Sequence, residues 1–303
     1  MSRVAAIDCG TNSIRLLIAD ISQGNFREID RRMEIVRLGQ GVDRNKSFHP
    51  DAIARTLAAV NEFASEIRRR GVSKVRFCAT SATRDATNRS IFVEGVKKIL
   101  GLEPEVISGD EEARLSFLGA TRELHGADSP FLVVDIGGGS TEFVSGNQKV
   151  EAAKSVNIGC VRLSERHLTS QPPSKDQVEK AIIDIDRAIS EAATSVPLKA
   201  RTLVAVAGTA TTVAAAALNL DAYDRYSIHL SRIPATEVHE VSSRFLRMNR
   251  DEIASLGYMH PGRVDVIAAG ALVLDRIMIA TGASEFVASE SDILDGIAWS
   301  LAE

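Results

Sequence analysis

An acidic, glycine-rich turn that occurs twice constrains the fold of this chain more than any other feature. Residues 8–13 read DCGTNS and residues 135–140 read DIGGGS, and each stretch lies between two strand-like runs. Two such runs around a short glycine-containing turn are typical of a β-hairpin. We refer to these as the first glycine turn (8–13) and the second glycine turn (135–140). Because turn and flanking strands repeat together, we expect a duplicated fold.

Both halves of the chain continue in the same order, with three strands followed by alternating helices and strands. In the first half we expect strands at 4–9, 14–20, 26–37 (after a turn at Gly24 and Asn25), 74–79 and 105–107, and helices at 52–70, 89–100 and 108–122. In the second half we expect strands at 131–135, 141–145, 149–157, 202–206 and 285–288, and helices at 175–194, from Gly208, at 265–281 and ending near Leu301. The pattern predicts an α/β protein of two domains, 1–126 and 127–303.

The composition argues against several classes of function. A net charge of −4 over 303 residues is not that of a basic nucleic-acid-binding module. The six histidines lack metal-ligand spacing, and the longest apolar stretch, 203–218, is too short to span a membrane. The three cysteines, Cys9, Cys78 and Cys160, lack CxxC spacing. We therefore expect a cytoplasmic protein with reduced thiols, no nucleic-acid partner and no membrane partner.

The second glycine turn has the chemistry of a phosphate site. Glycines tolerate φ values closed to other residues and let main-chain N–H groups approach an anion. Ser13, Ser140 and Asn12 add side-chain donors. Asp135 cannot bind phosphate directly because two anions repel, but Mg²⁺ commonly bridges a carboxylate and phosphate oxygens. Two such turns facing each other would hold a phosphate chain from both sides. The alternative is a pair of ordinary hairpins with aspartate as a turn former.

Two further places carry candidate acids. The segment 108–114 reads SGDEEAR, and one of its carboxylates could take a proton from an attacking water. The alternative is that acids are simply favoured by the dipole at a helix start. Glu142 lies two residues after Ser140 on the same side of a strand. It is either a further acid of the turn or an ordinary exposed strand residue.

Cationic and glycine-containing segments provide the remaining candidates. Arg84 follows a buried strand and could bind phosphate in bidentate fashion, although arginines at such junctions often form surface ion pairs. Gly208 and Thr209 open a helix whose free N–H groups suit an anion, or else serve close packing. The basic runs 68–70 and 97–98 are solvated faces or a track for a long polyanion.

Taken together, these motifs resemble the exopolyphosphatase and guanosine pentaphosphate phosphohydrolase family, within the actin, sugar-kinase and heat-shock chaperone superfamily. The resemblance runs from about residue 4 to 301, and the combination of DIGGGSTE with SGDEEAR is the specific part. The other matching segments, in the order of the family, are DCGTNSIRLLIAD, TSATRDA, AVAGTATTVAA and DVIAAGALVLDRIM. The sequence is similar to a short form of the family, without the additional helical domains of its longer members.

The resemblance implies two actin-like, ribonuclease H-like domains with mixed sheets and an active-site cleft between them. Glu112 matches the catalytic base of the family, and Asp135 and Glu142 match acids near the metal and the nucleophile. The positions that match phosphate contacts are Asn12, Ser13, Arg84, Gly137, Gly138, Gly139 and Ser140.

The activity implied is Mg²⁺-dependent hydrolysis of a terminal phosphoanhydride, often by a homodimer. The leading hypothesis is an exopolyphosphatase that releases orthophosphate from inorganic polyphosphate. Guanosine pentaphosphate (pppGpp) is the alternative substrate, since no motif reads a base or ribose. An ATP-binding kinase or ATPase of the same fold is disfavoured by EEAR, and a non-catalytic polyphosphate sensor is disfavoured by the intact acids.

Overall fold

Two compact units make up the structure, a computed structural model that describes residues 2–22 and 25–302. Unit 1 contains residues 1–119 together with the C-terminal segment 293–303, and unit 2 contains residues 120–292. The predicted turn at Gly24 and Asn25 involves Gly24, which lies outside the described residues. Each unit is built on its own sheet.

In its described residues, unit 1 combines one five-stranded mixed sheet with six helices. Its strands are β1 (Ser2–Cys9), β2 (Ser13–Ser22), β3 (Asn25–Ile35), β4 (Lys74–Ala79) and β5 (Glu105–Val106). Its helices are α1 (Val42–Asn45), α2 (Pro50–Arg69), α3 (Ser81–Asp85), α4 (Arg89–Leu100), α5 (Gly109–Thr121, ending just past the unit boundary) and the C-terminal α13 (Ile293–Ser300). The strand order is β3-β2-β1-β4-β5. β1, β2 and β3 form an antiparallel meander, whereas β4 runs parallel to β1.

The sheet of unit 1 is buried on both faces, which explains why β1 reads as a continuous apolar run. Side chains alternate across a strand, so Ala5 and Ile7 pack into one core and Val4 and Ala6 into another. The first core is completed mainly by α2 and α4. The second is completed by Leu115 of α5 and by residues of α13, so the end of the chain supplies part of the core of unit 1.

Unit 2 combines a six-stranded mixed sheet with seven helices. Its strands are β6 (Phe131–Ile136), β7 (Thr141–Gly146), β8 (Val150–Val156), β9 (Thr202–Val206), β10 (Arg232–Pro234) and β11 (Glu285–Ala288). Its helices are α6 (Cys160–Arg166), α7 (Lys175–Ala193), α8 (Ala207–Ala217), α9 (Arg225–Ile228), α10 (Ala235–Arg247), α11 (Arg250–Ala254) and α12 (Ile267–Thr281). Short 3₁₀ turns occupy Gly126–Asp128 and Pro261–Arg263.

The two sheets share one strand order. Read from its meander, the sheet of unit 2 runs β8-β7-β6-β9-β11, with β10 added at the far edge. As in unit 1, the first three strands are antiparallel and the fourth is parallel to the first. The prediction of a duplicated α/β protein with two mixed, actin-like sheets is therefore confirmed.

Most predicted elements are present within a few residues of their expected ends, but several short ones are not predicted. These are α1, α3, α6, α9, α11 and β10, and the longer helix α10 also lies where the sequence predicts no bounds. The predicted boundary at residue 126 differs from the division of the structure in two respects, since unit 2 begins at residue 120 and residues 293–303 group with unit 1. The division of the chain into two separate domains, 1–126 and 127–303, stays a prediction.

The three cysteines are buried free thiols. Burial raises the pKa of each thiol, to about 12 for Cys78. Within residues 2–22 and 25–302, no helix has both the length and the apolar character that are needed to cross a bilayer.

The packing of α13 against α5 leads to a stability prediction. An added Cβ at Gly296 would lie 1.9 Å from the carbonyl oxygen of Leu115, so Gly296→Ala must push the two helices apart. We expect the free energy of unfolding to fall by about 2 kcal/mol, the scale of overpacking a core. Chemical denaturation measures this, with Gly126→Ala as the control, because no atom lies within 4 Å of a Cβ there. Equal stability of the two variants would contradict the packing.

Candidate active site

The first glycine turn is closed by a hydrogen bond and held from behind by a neighbouring segment. The Gly10 N–H donates to the Ser13 carbonyl at 2.9 Å. The carbonyl of Thr11 accepts from the N–H of Gly39 at 2.8 Å, and that of Asn12 accepts from the N–H groups of residues 36 and 37 at 3.1 and 2.9 Å. The orientation of these peptide planes is thereby fixed.

Asp8 begins this turn and is ion-paired. It lies directly opposite Arg15 in the β1–β2 pairing, and Arg15 Nη2 is 2.6 Å from Asp8 Oδ2. Asp8 is buried, and a buried carboxylate needs such a partner to remain charged. The acid of the first turn is therefore matched by a cation of the same hairpin.

The second glycine turn is closed by the same hydrogen bond, from the Gly137 N–H to the Ser140 carbonyl at 3.0 Å. Here the N-terminus of α6 holds the turn from behind. The N–H of Cys160 donates to the Gly137 carbonyl at 3.0 Å, and those of Val161 and Arg162 donate to the Gly138 carbonyl at 2.9 and 3.0 Å. In a trans peptide, a carbonyl and the following N–H point in opposite directions. The N–H groups of residues 138 and 139 therefore point away from α6.

Those N–H groups are available to a ligand. Within the described ranges, the N–H groups of Gly138, Gly139 and Ser140 have no acceptor in the chain. Buried main-chain donors are almost always paired, with protein, water or ligand. Consecutive donors of this kind form the concave sites that bind phosphate.

Glycine is needed in the second turn for space. Gly137 does not use the positive φ that glycine permits, but an added Cβ would lie 3.0 Å from the Ser140 carbonyl oxygen. A Cβ at Gly159, just before α6, would lie 2.5 Å from the carbonyl oxygen of Gly138. The close approach of α6 to the turn therefore requires glycine at 159, whereas the tight closure of the turn itself favours glycine at 137.

Asp135 and Glu142 face each other across the second hairpin. They are direct partners in the antiparallel pairing of β6 and β7, so their side chains lie on the same face of the sheet. Glu142 is only 1% exposed, which excludes an ordinary exposed strand residue, and Asp135 is 6% exposed. The hydroxyl of Ser155 donates to Glu142 Oε1 at 2.7 Å. Carboxylate oxygens are ligands that a divalent cation prefers, so this pair suits a metal ion.

Glu112 and Arg84 form an ion pair within unit 1. Arg84 Nη1 lies 2.7 Å from Glu112 Oε2 and 3.0 Å from the carbonyl oxygen of Ile107. Arg84 belongs to α3, which follows β4 and adjoins the first glycine turn through a 2.9 Å hydrogen bond between Ser81 and Thr11. The structure thus places Glu112, Arg84 and the first glycine turn in one region of unit 1.

The two glutamates of EEAR differ in environment. The side chain of Glu111 is 27% exposed and bonded to Arg114 and Arg76, at 2.9 and 3.0 Å. The hydrogen bond from Arg114 lowers the pKa of Glu111. The side chain of Glu112 is 11% exposed. Glu111 therefore belongs to a surface ion-pair network, and Glu112 is the buried acid.

At the start of α8, the backbone packs closely against the side chain of Arg263. Arg263 Nη1 lies 2.8 Å from the Gly208 carbonyl oxygen and 3.1 Å from Thr212 Oγ1. A Cβ at Gly208 would overlap the guanidinium, at 2.1 Å from Cζ. Thr209 is buried against Gly270, where a Cβ would lie 2.6 Å from Thr209 Oγ1. Close packing explains the residues found at Gly208 and Thr209, and their contact with phosphate stays a prediction.

The basic run 68–70 is largely neutralised. Glu66 is bonded to Arg69 and Arg70, and Arg32 lies 3.1 Å from it. The hydrogen bond from Arg69 lowers the pKa of Glu66 to about 2. Just after this run, Ser73 is hydrogen-bonded to Arg3 at the start of β1, whereas the first glycine turn follows the end of β1. The basic run and the first glycine turn therefore lie at opposite ends of β1. The interpretation of a solvated, ion-paired face accounts for these contacts.

The sequence patterns do not predict three of the contacts described above, those made by Arg15, by helix α6 and by Arg263. Arg15 could be found by counting the hairpin register outward from the first turn, which pairs 8 with 15. Helix α6 spans only Cys160–Arg166, too short for a periodic pattern. Arg263 is far in sequence from Gly208, and no local signal connects them. Among the described residues, no cluster of three or more His, Cys, Asp or Glu side chains forms a ready metal site.

Comparison with known proteins identifies the family. The profile of the Ppx/GppA phosphatase family matches residues 17–302. The chain belongs to this family. The resemblance noted from the motifs is thereby confirmed, and membership of the Ppx/GppA phosphatase family makes the chain a hydrolase.

Similar proteins share its full length. Exopolyphosphatase 2 of Mycobacterium tuberculosis is 48% identical over an alignment that covers 100% of this chain and 99% of that protein. The crystal structure of an exopolyphosphatase-like protein is 44% identical, with a TM-score of 0.96 over 99% of this chain and 98% of that one. The Ppx/GppA enzyme of Aquifex aeolicus is 30% identical, with a TM-score of 0.83 over 99% of both chains.

The contact between Gly159 and the second turn generates a prediction. Gly159→Ala must displace the Gly138 carbonyl, because the added Cβ would otherwise lie 2.5 Å from it. We expect the affinity for inorganic phosphate, measured by calorimetry, to fall about ten- to hundredfold, as is typical of a displacement of about 1 Å in a binding site. Gly126→Ala is the control and should bind as the unmodified protein does. Unchanged affinity in Gly159→Ala would exclude the second turn as the phosphate site.

Proposed function

We propose that this protein is an exopolyphosphatase that releases orthophosphate from the end of inorganic polyphosphate. The observation that carries the proposal is the second glycine turn, where three unpaired N–H groups adjoin the buried Asp135–Glu142 pair. The first feature suits phosphate oxygens and the second suits a divalent cation. The 48% identity to Exopolyphosphatase 2 of Mycobacterium tuberculosis along the whole chain supports the same substrate class.

In this proposal Glu112 is the general base. Its carboxylate takes a proton from water, the water oxygen bonds to the terminal phosphorus, and the bond from that phosphorus to the bridging oxygen breaks. The released chain keeps the bridging oxygen as part of its new terminal phosphate. Arg84, 2.7 Å from Glu112, favours the ionised carboxylate that this step needs. Arg84 also has further guanidinium donors for phosphate, in keeping with the expected contact.

Asp135 and Glu142 fit a Mg²⁺ site. The ion usually keeps several waters and binds one or two protein carboxylates together with substrate phosphates, so a pair of acids is sufficient. Mg²⁺ neutralises charge on phosphate oxygens when it is bound. The remaining groups bind phosphate in this scheme. They are Asn12 and Ser13 of the first turn, Gly137, Gly138, Gly139 and Ser140 of the second turn, and Gly208 and Thr209 of α8.

A substrate panel tests the proposed activity. Phosphate release is measured on short polyphosphate, long polyphosphate, pppGpp and ATP, each with Mg²⁺ and with a chelator in excess. We expect release from polyphosphate to exceed the others and to stop with the chelator, because a bound Mg²⁺ would neutralise charge on the phosphate oxygens. Release mainly from pppGpp would transfer the activity to that alternative, and release from ATP alone would reject the proposal.

The assignment of Glu112 as the general base is tested by substituting Glu112 and, separately, its neighbour Glu111. Glu112→Gln should lower kcat about 100- to 10,000-fold, the usual contribution of a general base, while the affinity for polyphosphate stays nearly unchanged. Glu111→Gln is the matched control and should retain kcat, because Glu111 is bonded to Arg114 and Arg76 at the surface. If turnover persisted in Glu112→Gln, or fell equally in both variants, the assignment of the base would be wrong.

A further inference from the structure

Arg162 is a buried cation immediately behind the second glycine turn. It is the third residue of α6 and only 6% exposed. Its Nε donates to the carbonyl of Gly139 at 2.6 Å, and its main-chain N–H donates to the carbonyl of Gly138 at 3.0 Å. One residue therefore bonds two successive peptide groups of the turn, once through its backbone and once through its side chain.

The hydrogen bond from the Arg162 side chain adds a third carbonyl of the turn to the two that the α6 backbone holds. The Gly137 and Gly138 carbonyls accept main-chain N–H groups of α6, but the helix offers no main-chain donor to the Gly139 carbonyl. The guanidinium of Arg162 supplies that donor. Because each peptide is planar and trans, fixing the Gly139 carbonyl toward α6 fixes the Ser140 N–H in the opposite direction. The three N–H groups of residues 138–140 are thereby each set by a bond on the preceding carbonyl.

We propose that Arg162 is the positioning residue of the phosphate site, and that it orients the Ser140 N–H toward substrate by holding the Gly139 carbonyl from behind. This inference rests on the proposed function only in taking phosphate as the ligand of the second turn. Arg162 acts through the turn, because its bond is to the carbonyl side of the peptide whose N–H faces the anion.

The chemistry of the side chain suits this role. A charged donor makes a shorter and stronger hydrogen bond to a carbonyl than a neutral one, and 2.6 Å is short for an N–H···O bond. The guanidinium is planar and presents its donors in a fixed fork, so it constrains the orientation of the peptide.

The test compares three variants by their binding of inorganic phosphate. Arg162→Met removes the donor and the charge at similar length, and Arg162→Gln keeps an N–H donor without the charge. Arg166→Met is the matched control, because Arg166 lies on the same helix but is bonded to Asp184, at 3.0 Å. Phosphate is titrated while the amide resonances of Gly138, Gly139 and Ser140 are followed by NMR, and kcat and KM are measured on short polyphosphate.

We expect Arg162→Met to weaken phosphate binding and raise KM about tenfold, consistent with the loss of one charge-assisted hydrogen bond. The Ser140 amide should lose most of its phosphate-induced shift. Arg162→Gln should recover part of both effects, and Arg166→Met should match the unmodified protein. If Arg162→Met does not fold, Arg162→Lys replaces it, because it keeps the charge but lacks the planar Nε donor, and it should show the same loss at Ser140.

Three results would overturn the inference. They are unchanged phosphate affinity in Arg162→Met, the same loss in Arg162→Gln as in Arg162→Met, and the absence of phosphate-induced shifts at residues 138–140 in the unmodified protein. Failure of the proposed function is a separate outcome, because it appears as a lack of phosphate release from polyphosphate. Phosphate titration does not depend on that release.

Discussion

Each glycine turn depends on one constraint, the holding of its peptide carbonyls from behind. A turn that is free to rotate its peptide planes would present carbonyl oxygens to an anion as readily as N–H groups. Hydrogen bonds on the carbonyl side remove that freedom before the ligand arrives, so binding costs less conformational entropy. Unit 1 achieves this with the segment after β3, and unit 2 with the N-terminus of α6. The two solutions differ although the closing hydrogen bond of each turn is the same.

The duplicated hairpins also differ in charge. In the first, the acid of the turn faces an arginine, and in the second it faces another acid. Asp8 is therefore ion-paired within its own hairpin, whereas Asp135 and Glu142 bring two carboxylates to one face of the other hairpin. Duplication supplies two copies of one scaffold, and a change at a single cross-strand position, Arg15 in one and Glu142 in the other, gives the copies different chemistry.

Much of this architecture could be predicted from the sequence. The glycine turns, the flanking strands and the long helices follow from local turn chemistry and hydrophobic periodicity, and the predicted bounds of β4, α4 and β9 agree with the structure at both ends. The pairing of Arg84 with Glu112 could not be predicted, because the two lie 28 residues apart and meet only through tertiary packing. Helix α6 is missed because seven residues are too few for a periodic signal, and Arg162 is missed with it.

The position of the C-terminal helix has a consequence for the synthesis of the protein. Unit 2 is continuous in sequence, so all its residues are available before translation ends. Unit 1 begins first but finishes last, because Ile293, Leu294 and Ile297 complete one of its two cores. Until those residues leave the ribosome, one face of its sheet lacks part of its cover. The synthesis of residues 293–303 therefore decides when unit 1 becomes stable, and a chain that lacks them would expose that apolar face to chaperones and proteases.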